Sequence, residues 1–316
     1  MSTLGLVTLA LLASQSSAHG VVTLMRGANG VDMPGLTVAD GTPRTCSTNR
    51  CGSQADTAII RDREIRAGSV GPLGRTQGSG PVDAATMIAT FMGTAAAPAN
   101  RTAGASAAAA GVEDDIDVEG IVEATLRGGR DASRDRDRRR GFGLAARQLF
   151  RELFGGGANR GTASQEEVEG NVAAMAGAGA TSGLPTCGDD GIVEMVFHQV
   201  NQDGAGPLDA AIDGTSGGTD PAAFQRAEVT QDVPGLGFQG LSLATSRDFT
   251  LKVRMPDGMT CDATVAGVDN VCIVRVRNSA LAGPFGGSAA FTQSPAARKR
   301  AIEYRLKRKR AQVFRA

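Results

Sequence analysis

The sequence predicts a mainly β protein: an antiparallel immunoglobulin-like β-sandwich with a long disordered insertion and a helical basic tail. Short segments of strand composition stand between Gly- and Pro-rich turns both early and late in the chain, and helical periodicity between them is weak. The middle of the chain changes to Ala- and Gly-rich sequence. The 33 basic and 33 acidic residues of the 316 balance. This balance argues against a nucleic-acid binder, and no apolar run is long enough to span a bilayer.

Residues 1–18 have the form of a secretory signal peptide, so we expect an extracellular protein, with the cell wall or cell surface as its further destination. An apolar stretch at 4–13 precedes the small residues Ser16-Ser17-Ala18, although Lys and Arg are absent before the stretch. We expect cleavage after Ala18, which makes His19 the new N-terminus. A cut one or two residues away would leave His19 an ordinary surface histidine.

Four further segments follow from composition. Residues 19–99 form the first part of the sandwich, with a strand at 21–24, and residues 100–183 form a low-complexity insert with acidic and Arg-rich runs. Within the insert we expect a sequon at Asn100 and one short amphipathic helix at 143–154. Residues 184–297 form the second part, with strands at 192–200, 250–255 and 271–277. Residues 298–316 carry nine basic residues and one acid and are expected to be a solvated helix. The alternatives are a tail that binds an anionic surface, docks on the acidic body or is trimmed at its dibasic pairs.

The chain has five cysteines, which fits two disulfides and one free thiol in an oxidising compartment. Cys261 and Cys272 flank a turn between two strands and are expected to pair. We also expect one of Cys46 and Cys51 to pair with Cys187 across the insert. The sequence does not choose between those two partners.

The chain has only two histidines, His19 and His198. An N-terminal histidine offers its α-amine and its ring Nδ1, and a second imidazole completes three nitrogens around one ion. Such a nitrogen-only tetragonal set suits copper(II) and leaves positions open. His198 lies in the strand predicted at 192–200, on the face of Glu194 and Val196. The alternative interpretation of His198 is a partly buried histidine with a structural role.

Two residues of a C-terminal strand, Phe291 and Gln293, share a face and are candidates for the axial neighbour and the outer hydrogen-bonding shell of such a metal. The alternative is a core aromatic and an edge amide. The pattern G-x-S-x-G at 214–218 and the pattern G-x-G-x-x-G at 235–240 both lack the strand-to-helix context that gives them chemical meaning. We therefore expect no serine nucleophile and no dinucleotide site there.

Five motifs together resemble the Egh-like family of secreted fungal proteins, which includes Mas-type cell-surface proteins. They are HGVVT (19–23), GTPR (41–44), CGSQADT (51–57), FHQVNQDGAGP (197–207) and AGPFGG (282–287). The resemblance covers both folded parts and leaves out the insert. It implies an extracellular virulence-associated protein of appressoria, the infection structures of plant pathogens.

A more distant likeness is to lytic polysaccharide monooxygenases, in which an N-terminal histidine and a second histidine brace one copper ion on a β-sandwich. That likeness implies metal ligation by His19 and His198 and oxidation of plant or fungal wall polysaccharide, with Phe291 where many of those enzymes have tyrosine. The chain lacks Trp, and its single Tyr lies in the tail, so aromatic stacking on sugars is not expected. The rival hypothesis is a non-catalytic surface or adhesion protein. In either case we expect a monomer that neither spans a membrane nor binds nucleic acid.

Overall fold

The computed structural model describes residues 19–47, 51–96, 159–202, 204–235, 242, 244–280 and 283–313. Thirteen strands lie in these ranges: β1 (Gly20–Arg26), β2 (Asp32–Pro34), β3 (Ala58–Ile59), β4 (Arg75–Thr76), β5 (Gly80–Pro81), β6 (Thr162–Ala163), β7 (Ile192–Gln199), β8 (Asp209–Asp213), β9 (Phe224–Gln231), β10 (Arg247–Arg254), β11 (Ala263–Val265), β12 (Val268–Arg277) and β13 (Phe285–Thr292). The prediction of a mainly β, antiparallel protein is confirmed.

Antiparallel hydrogen bonds join eleven of the described strands in the order β2-β1-β7-β10-β9-β8-β12-β13-β3-β4-β5, with β6 added to β10 and β11 to β12. Strand β9 belongs to both halves of this path, because its first residues pair with β8 and its last residues pair with β10. The two halves share one core, to which strands of both halves contribute buried side chains: β1, β7 and β10 from the first and β8, β12 and β13 from the second. The immunoglobulin-like form of the sandwich stays a prediction.

Alternation along the strands explains why this core forms. In β7 the side chains of Val193, Met195 and Phe197 are buried, and β10 buries Phe249, Leu251 and Val253 in the same way. Each such side chain stabilises the fold by about 1.5–3 kcal/mol. The opposite face is polar, where Lys252 pairs with Glu194 at 3.0 Å. The strands predicted at 192–200, 250–255 and 271–277 correspond to β7, β10 and β12.

Strands β1 and β13 pack closely against each other. A Cβ atom at Gly287 would lie 2.7 Å from the backbone nitrogen of Val22, which is closer than real Cβ atoms come. Gly287 therefore allows β13 to pack directly on β1.

Five helices flank the sheet in the described residues: α1 (Asp62–Arg66), α2 (Ala84–Phe91), α3 (Asn171–Met175), α4 (Gly179–Ser182) and α5 (Pro295–Val313). Helix α2 is capped by the Asp83 carboxylate, which accepts a hydrogen bond from the Ala85 N–H at 3.0 Å. Its apolar face adds Met87, Ile88 and Phe91 to a second core. Helix α5 confirms a helical basic tail and begins at Pro295, slightly before the predicted start. None of the helices in the described ranges is both long and apolar enough to cross a membrane.

The prediction that residues 100–183 are disordered is wrong for their described part, which starts at residue 159. Strand β6 pairs with β10, and α3 and α4 follow. The Asn159 side chain also donates to the carbonyl oxygens of Asp232 and Thr250, at 2.9 and 2.7 Å. These contacts with distant strands offset the conformational entropy that the segment loses when it becomes ordered. The few apolar residues of the segment would not offset that loss by themselves. The predicted sequon at Asn100 and the predicted helix at 143–154 lie outside the described residues.

A buried ion-pair cluster holds this segment on the first part of the chain. The Arg44 guanidinium binds Asp56 through two hydrogen bonds of 3.1 and 2.6 Å, and it donates to Glu169 at 3.0 and 2.8 Å. The Arg44 and Glu169 side chains are 2% and 1% exposed. Although burial opposes the charge, Asp56 and Glu169 hold the pKa of Arg44 above its usual value. The cluster is fully satisfied only with all three partners in place.

The structure contains the disulfides Cys46–Cys51 and Cys261–Cys272. The second is the predicted pair. The predicted link from Cys187 to Cys46 or Cys51 is wrong, because those two cysteines close their own short loop and Cys187 is a free, buried thiol. The Cys187 N–H donates to the Thr292 carbonyl at 2.9 Å, beside the end of β13. Burial raises the pKa of this thiol, so it is a poor nucleophile. The ion pairs of Arg44, rather than a disulfide, connect the segments.

We expect Arg44→Met to lower the free energy of unfolding by roughly 3–5 kcal/mol, because two buried carboxylates lose their counter-charge. Urea unfolding followed by circular dichroism measures this change. The matched control is Arg26→Met, which removes a partly exposed pair with Glu194 at 3.6 Å and should cost at most about 1 kcal/mol. Equal losses in the two variants would show that the cluster has no special role.

Candidate metal centre

The pairing of β1 with β7 brings together the two histidines. Val21 stands opposite His198 in the register of this antiparallel pair. The pairing extends one residue beyond the strand, because the Val200 N–H donates to the His19 carbonyl at 3.0 Å. His19 is thus the diagonal neighbour of His198 across the ladder. Residues in this relation share a face of the sheet, with Cα atoms about 7–8 Å apart, which is within the reach of two imidazoles for one ion.

His198 is held by a carboxylate on the neighbouring strand. Its Nδ1 lies 2.7 Å from the Asp248 Oδ1, and the two residues are directly paired between β7 and β10. Since an ionised carboxylate can only accept, this contact puts the ring proton on Nδ1 and leaves a lone pair on Nε2. The His198 side chain is 0% exposed. Its Nε2 has no hydrogen-bond partner among the described residues.

His19 is held through its backbone and packs against an aromatic ring. Its backbone nitrogen donates to the Asn201 Oδ1 at 2.7 Å, in a buried contact. The His19 ring centroid lies 4.4 Å from that of Phe285, and the residue is 1% exposed. The structure is that of the chain with residues 1–18 attached, so this nitrogen is a peptide amide here.

The turn after β7 determines the position of Asn201. The side-chain amide nitrogen of Gln199 donates to the Asn201 carbonyl at 2.9 Å, to the Ser242 hydroxyl at 2.8 Å and to the Ala244 carbonyl at 2.7 Å. Gly204 allows the turn to pass His19, since a Cβ there would lie 2.0 Å from the His19 carbonyl oxygen. This close approach gives a physical reason for the glycine at position 204.

Two imidazoles are available here, and cleavage of the peptide bond before His19 would add one main-chain amine. The described residues contain no cluster of three or more His, Cys, Asp or Glu side chains that could hold a metal ion. A brace does not require such a cluster, because its third nitrogen comes from the main chain. The unpartnered Nε2 of His198, fixed by Asp248 from the other side of the ring, has the arrangement typical of a metal-binding histidine.

Phe291 and Gln293 lie elsewhere. Phe291 is a fully buried member of the main core. It stands six residues along β13 from Phe285, which is about 20 Å in an extended strand. The Gln293 amide accepts from the Cys261 N–H at 3.0 Å and donates to the Met259 carbonyl at 2.9 Å, so it ties β13 to the loop before β11. The structure places Phe285, and not Phe291, beside His19.

Three residues of the site escaped the sequence reasoning. Asn201 and Phe285 stand inside motifs that carry the family resemblance, and that membership was the available signal. Asp248 had no local signal, because only the β7–β10 register sets it opposite His198.

The Gly-rich motif at 214–218 is a structural turn. The Asp213 carboxylate accepts hydrogen bonds from the backbone N–H groups of Thr215, Ser216 and Gly218 at 2.8, 2.9 and 2.7 Å. It also accepts from the Ser216 hydroxyl at 2.5 Å. These bonds hold the pKa of Asp213 below its usual value, although burial alone would raise it. Most of the second motif, 235–240, lies outside the described residues.

Comparison with known proteins gives the family. A profile described as "Egh16-like virulence factor" matches residues 17–286. The chain is 51% identical over 301 residues, 95% of its length and 92% of the relative's, to "Appressoria-specific virulence factor GAS2" of Pyricularia oryzae. It is also 38% identical over 197 residues, 60% of its length and 72% of the relative's, to "Appressoria-specific virulence factor GAS1" of the same fungus. No solved structure matches. The chain belongs to the Egh16-like virulence factor family.

Proposed function

We propose that this protein is a secreted virulence factor of the infection stage that binds one copper ion through His19 and His198. The observation that carries the proposal is the buried, unpartnered Nε2 of His198, one diagonal step across the β1–β7 ladder from His19. Cleavage after Ala18 would convert the backbone nitrogen of His19 into an amine. Three nitrogens would then be available to one ion, a donor set that suits copper(II).

The surroundings of the two histidines support this assignment. Asn201, whose side-chain oxygen lies 2.7 Å from the His19 nitrogen, can accept one hydrogen of an amine while the lone pair stays available. Asp248 orients the His198 ring, which is the usual role of a carboxylate behind a metal-binding imidazole. Phe285 covers the His19 ring and limits its rotation.

Bound copper would supply one-electron redox chemistry. With residues 1–18 attached, both imidazoles are buried, at 1% and 0% exposure, so a polysaccharide chain cannot contact them directly in this form. The chain also has no Trp and one Tyr, Tyr304 in α5, so aromatic rings that stack on sugars are missing from the sheet. These observations favour copper binding over oxidation of plant or fungal wall polysaccharide. They also favour the second candidate function, a non-catalytic surface or adhesion protein.

The setting of the protein is inferred from its relatives and its disulfides. Two relatives are named as appressoria-specific virulence factors, and we assign the same stage to this chain. Disulfides persist in oxidising compartments, so the Cys46–Cys51 and Cys261–Cys272 bridges support an extracellular location.

We expect a chain that begins at His19 to bind one copper(II) ion and to give the resonance spectrum of a tetragonal nitrogen site. His198→Gln should abolish this spectrum and weaken binding by two orders of magnitude or more, roughly the loss of one metal–nitrogen bond. Isothermal titration with copper(II) and electron paramagnetic resonance measure the two effects.

The matched control is a chain that keeps Ala18 before His19. It has the same two imidazoles and the same fold, but its nitrogen is an amide and cannot serve as an amine ligand. We expect it to lose the tetragonal spectrum as well. The site would be refuted if three chains bound copper with the same affinity and the same spectrum: the chain that begins at His19, its His198→Gln variant and the chain that keeps Ala18.

The contact from Asp248 to His198 makes a separate prediction. Asp248→Asn keeps the size of the side chain but replaces an obligatory acceptor, so the Nδ1 proton is held less firmly. Copper affinity should fall by about 10–100-fold, while the near-ultraviolet circular dichroism of the metal-free protein stays unchanged. The control is Asp269→Asn, at the exposed start of β12. An unchanged affinity in Asp248→Asn would mean that this carboxylate does not support a metal ligand.

Oxidative activity is tested on the same material. Wall polysaccharide is incubated with the copper-loaded chain and a reductant, and soluble products are analysed by mass spectrometry. Given the burial of the imidazoles, we expect no oxidised oligosaccharides above the level of the His198→Gln variant. Products that require copper, reductant and His198 together would instead establish the oxidative enzyme.

A further inference from the structure

A cleft of about 330 Å³ lies where β8, β9 and β12 meet, away from the two histidines. This volume is at the lower end of the range for small-molecule sites, about 300–1,000 Å³. Alternation along β12 explains its chemistry, because Val274 and Val276 are buried in the main core while Arg275 and Arg277 point to the other face. The side chains of Asp209, Phe224, Arg226, Arg275 and Arg277 are among those that line the cleft.

Arg275 is the cation of this cleft that lacks a counter-charge. Its guanidinium donates to the Pro72 carbonyl at 2.7 Å and lies 4.6 Å from the centre of the Phe224 ring. None of the ion pairs between described residues includes it, whereas arginine has five N–H donors in a fixed fork. Two fixed contacts, one to a carbonyl and one to a ring face, orient the guanidinium and leave most of its donors unused.

The other two arginines of the cleft are already paired. Arg277 binds the Asp62 carboxylate at 2.6 and 3.3 Å and the Ile60 carbonyl at 3.1 Å. Arg226 stands at the rim, 89% exposed, with Asp209 at 3.6 Å. Three guanidinium groups therefore face two carboxylates, Asp62 and Asp209. The remaining positive charge belongs to Arg275.

The environment of Arg275 opposes this charge. Burial, and then the neighbouring guanidinium of Arg277, lower the pKa of Arg275 to about 10, while Asp62 acts weakly in the other direction. The group still carries its charge at neutral pH. A cation in this position is stabilised by an anion that enters the cleft.

We propose that this cleft binds a small molecule that carries an oxyanion, either a carboxylate or a phosphate, and that the fork of Arg275 is its principal contact. Arginine matches both groups because its parallel N–H bonds meet two oxygens at once. The Phe224 ring holds the guanidinium in place from behind, and Arg226 guides anions at the rim. The site is independent of the proposed copper centre and needs no metal.

The full chain is titrated separately with galacturonate, glucose 6-phosphate and glucose. Isothermal titration calorimetry measures the affinity for each sugar, and thermal unfolding measures the melting temperature in its presence. Both anionic sugars should bind and raise the melting temperature in proportion to ligand concentration, and glucose should do neither. Binding should weaken as salt rises. The ratio of the two affinities distinguishes a carboxylate site from a phosphate site.

Arg275→Gln should weaken binding of the preferred anion by roughly tenfold or more, which corresponds to loss of a charge-assisted pair of hydrogen bonds. Arg275→Lys keeps the positive charge but lacks the planar guanidinium fork. Its affinity for the anion should therefore lie between the affinities of the original chain and of Arg275→Gln. The matched control is Arg254→Gln, on β10, where the exposed arginine pairs with Glu228 at 3.3 Å; it should bind as the original chain does.

Three results would overturn the proposal: neither anion binds the original chain, glucose binds as well as the anions, or Arg275→Gln and Arg254→Gln bind equally well. If Arg275→Gln does not fold, the comparison of Arg275→Lys with the original chain decides. Equal affinity of those two would also overturn it, since the fork would then be unnecessary.

Discussion

The antiparallel pairing of β1 with β7 is the constraint on which the rest of the structure depends. It joins the start of the first folded part to the start of the second, and β1 and β2 take their place in the sheet through β7. It sets His19 diagonally across from His198, and it turns Phe197 and Val22 into the common core. A shift of this pairing by one residue would exchange the faces of β1 relative to β7, turning Val22 out of the core and moving His19 off the face that carries His198.

Two other interactions keep this pairing in place. The absence of a side chain at Gly287 allows β13 to pack on β1, which closes the two halves of the sheet over the core. Arg44 holds Asp56 and Glu169 together on the first part of the chain and so anchors the segment that leads into β7.

Burial has a different chemical consequence at each of the two proposed binding sites. At His198 burial leaves a nitrogen lone pair without a partner, and at Arg275 it leaves a positive charge without one.

Local pattern was sufficient for part of the architecture. The strands β7, β10 and β12 were predictable because alternation of apolar and polar side chains is a property of neighbouring residues. The basic helical tail was predictable as well, because its charged composition is also a property of neighbouring residues. The segment from residue 159 was misjudged, since its order comes from Glu169 and Asn159 contacting distant residues. The partner of Cys187 was misjudged because cysteine spacing carries no information about which loops approach each other.

The sequence by itself determined the mainly β class, the family, the Cys261–Cys272 pair and the two histidines as the residues to examine. These follow from periodicity, from motifs and from a residue type that occurs only twice. Only the tertiary structure decided that Asp248, Asn201 and Phe285 surround those histidines, that Phe291 and Gln293 do not, and that Arg275 lacks a counter-charge. Each of these depends on the register between strands that are distant in sequence, and register is decided by how a whole face of the sheet is buried.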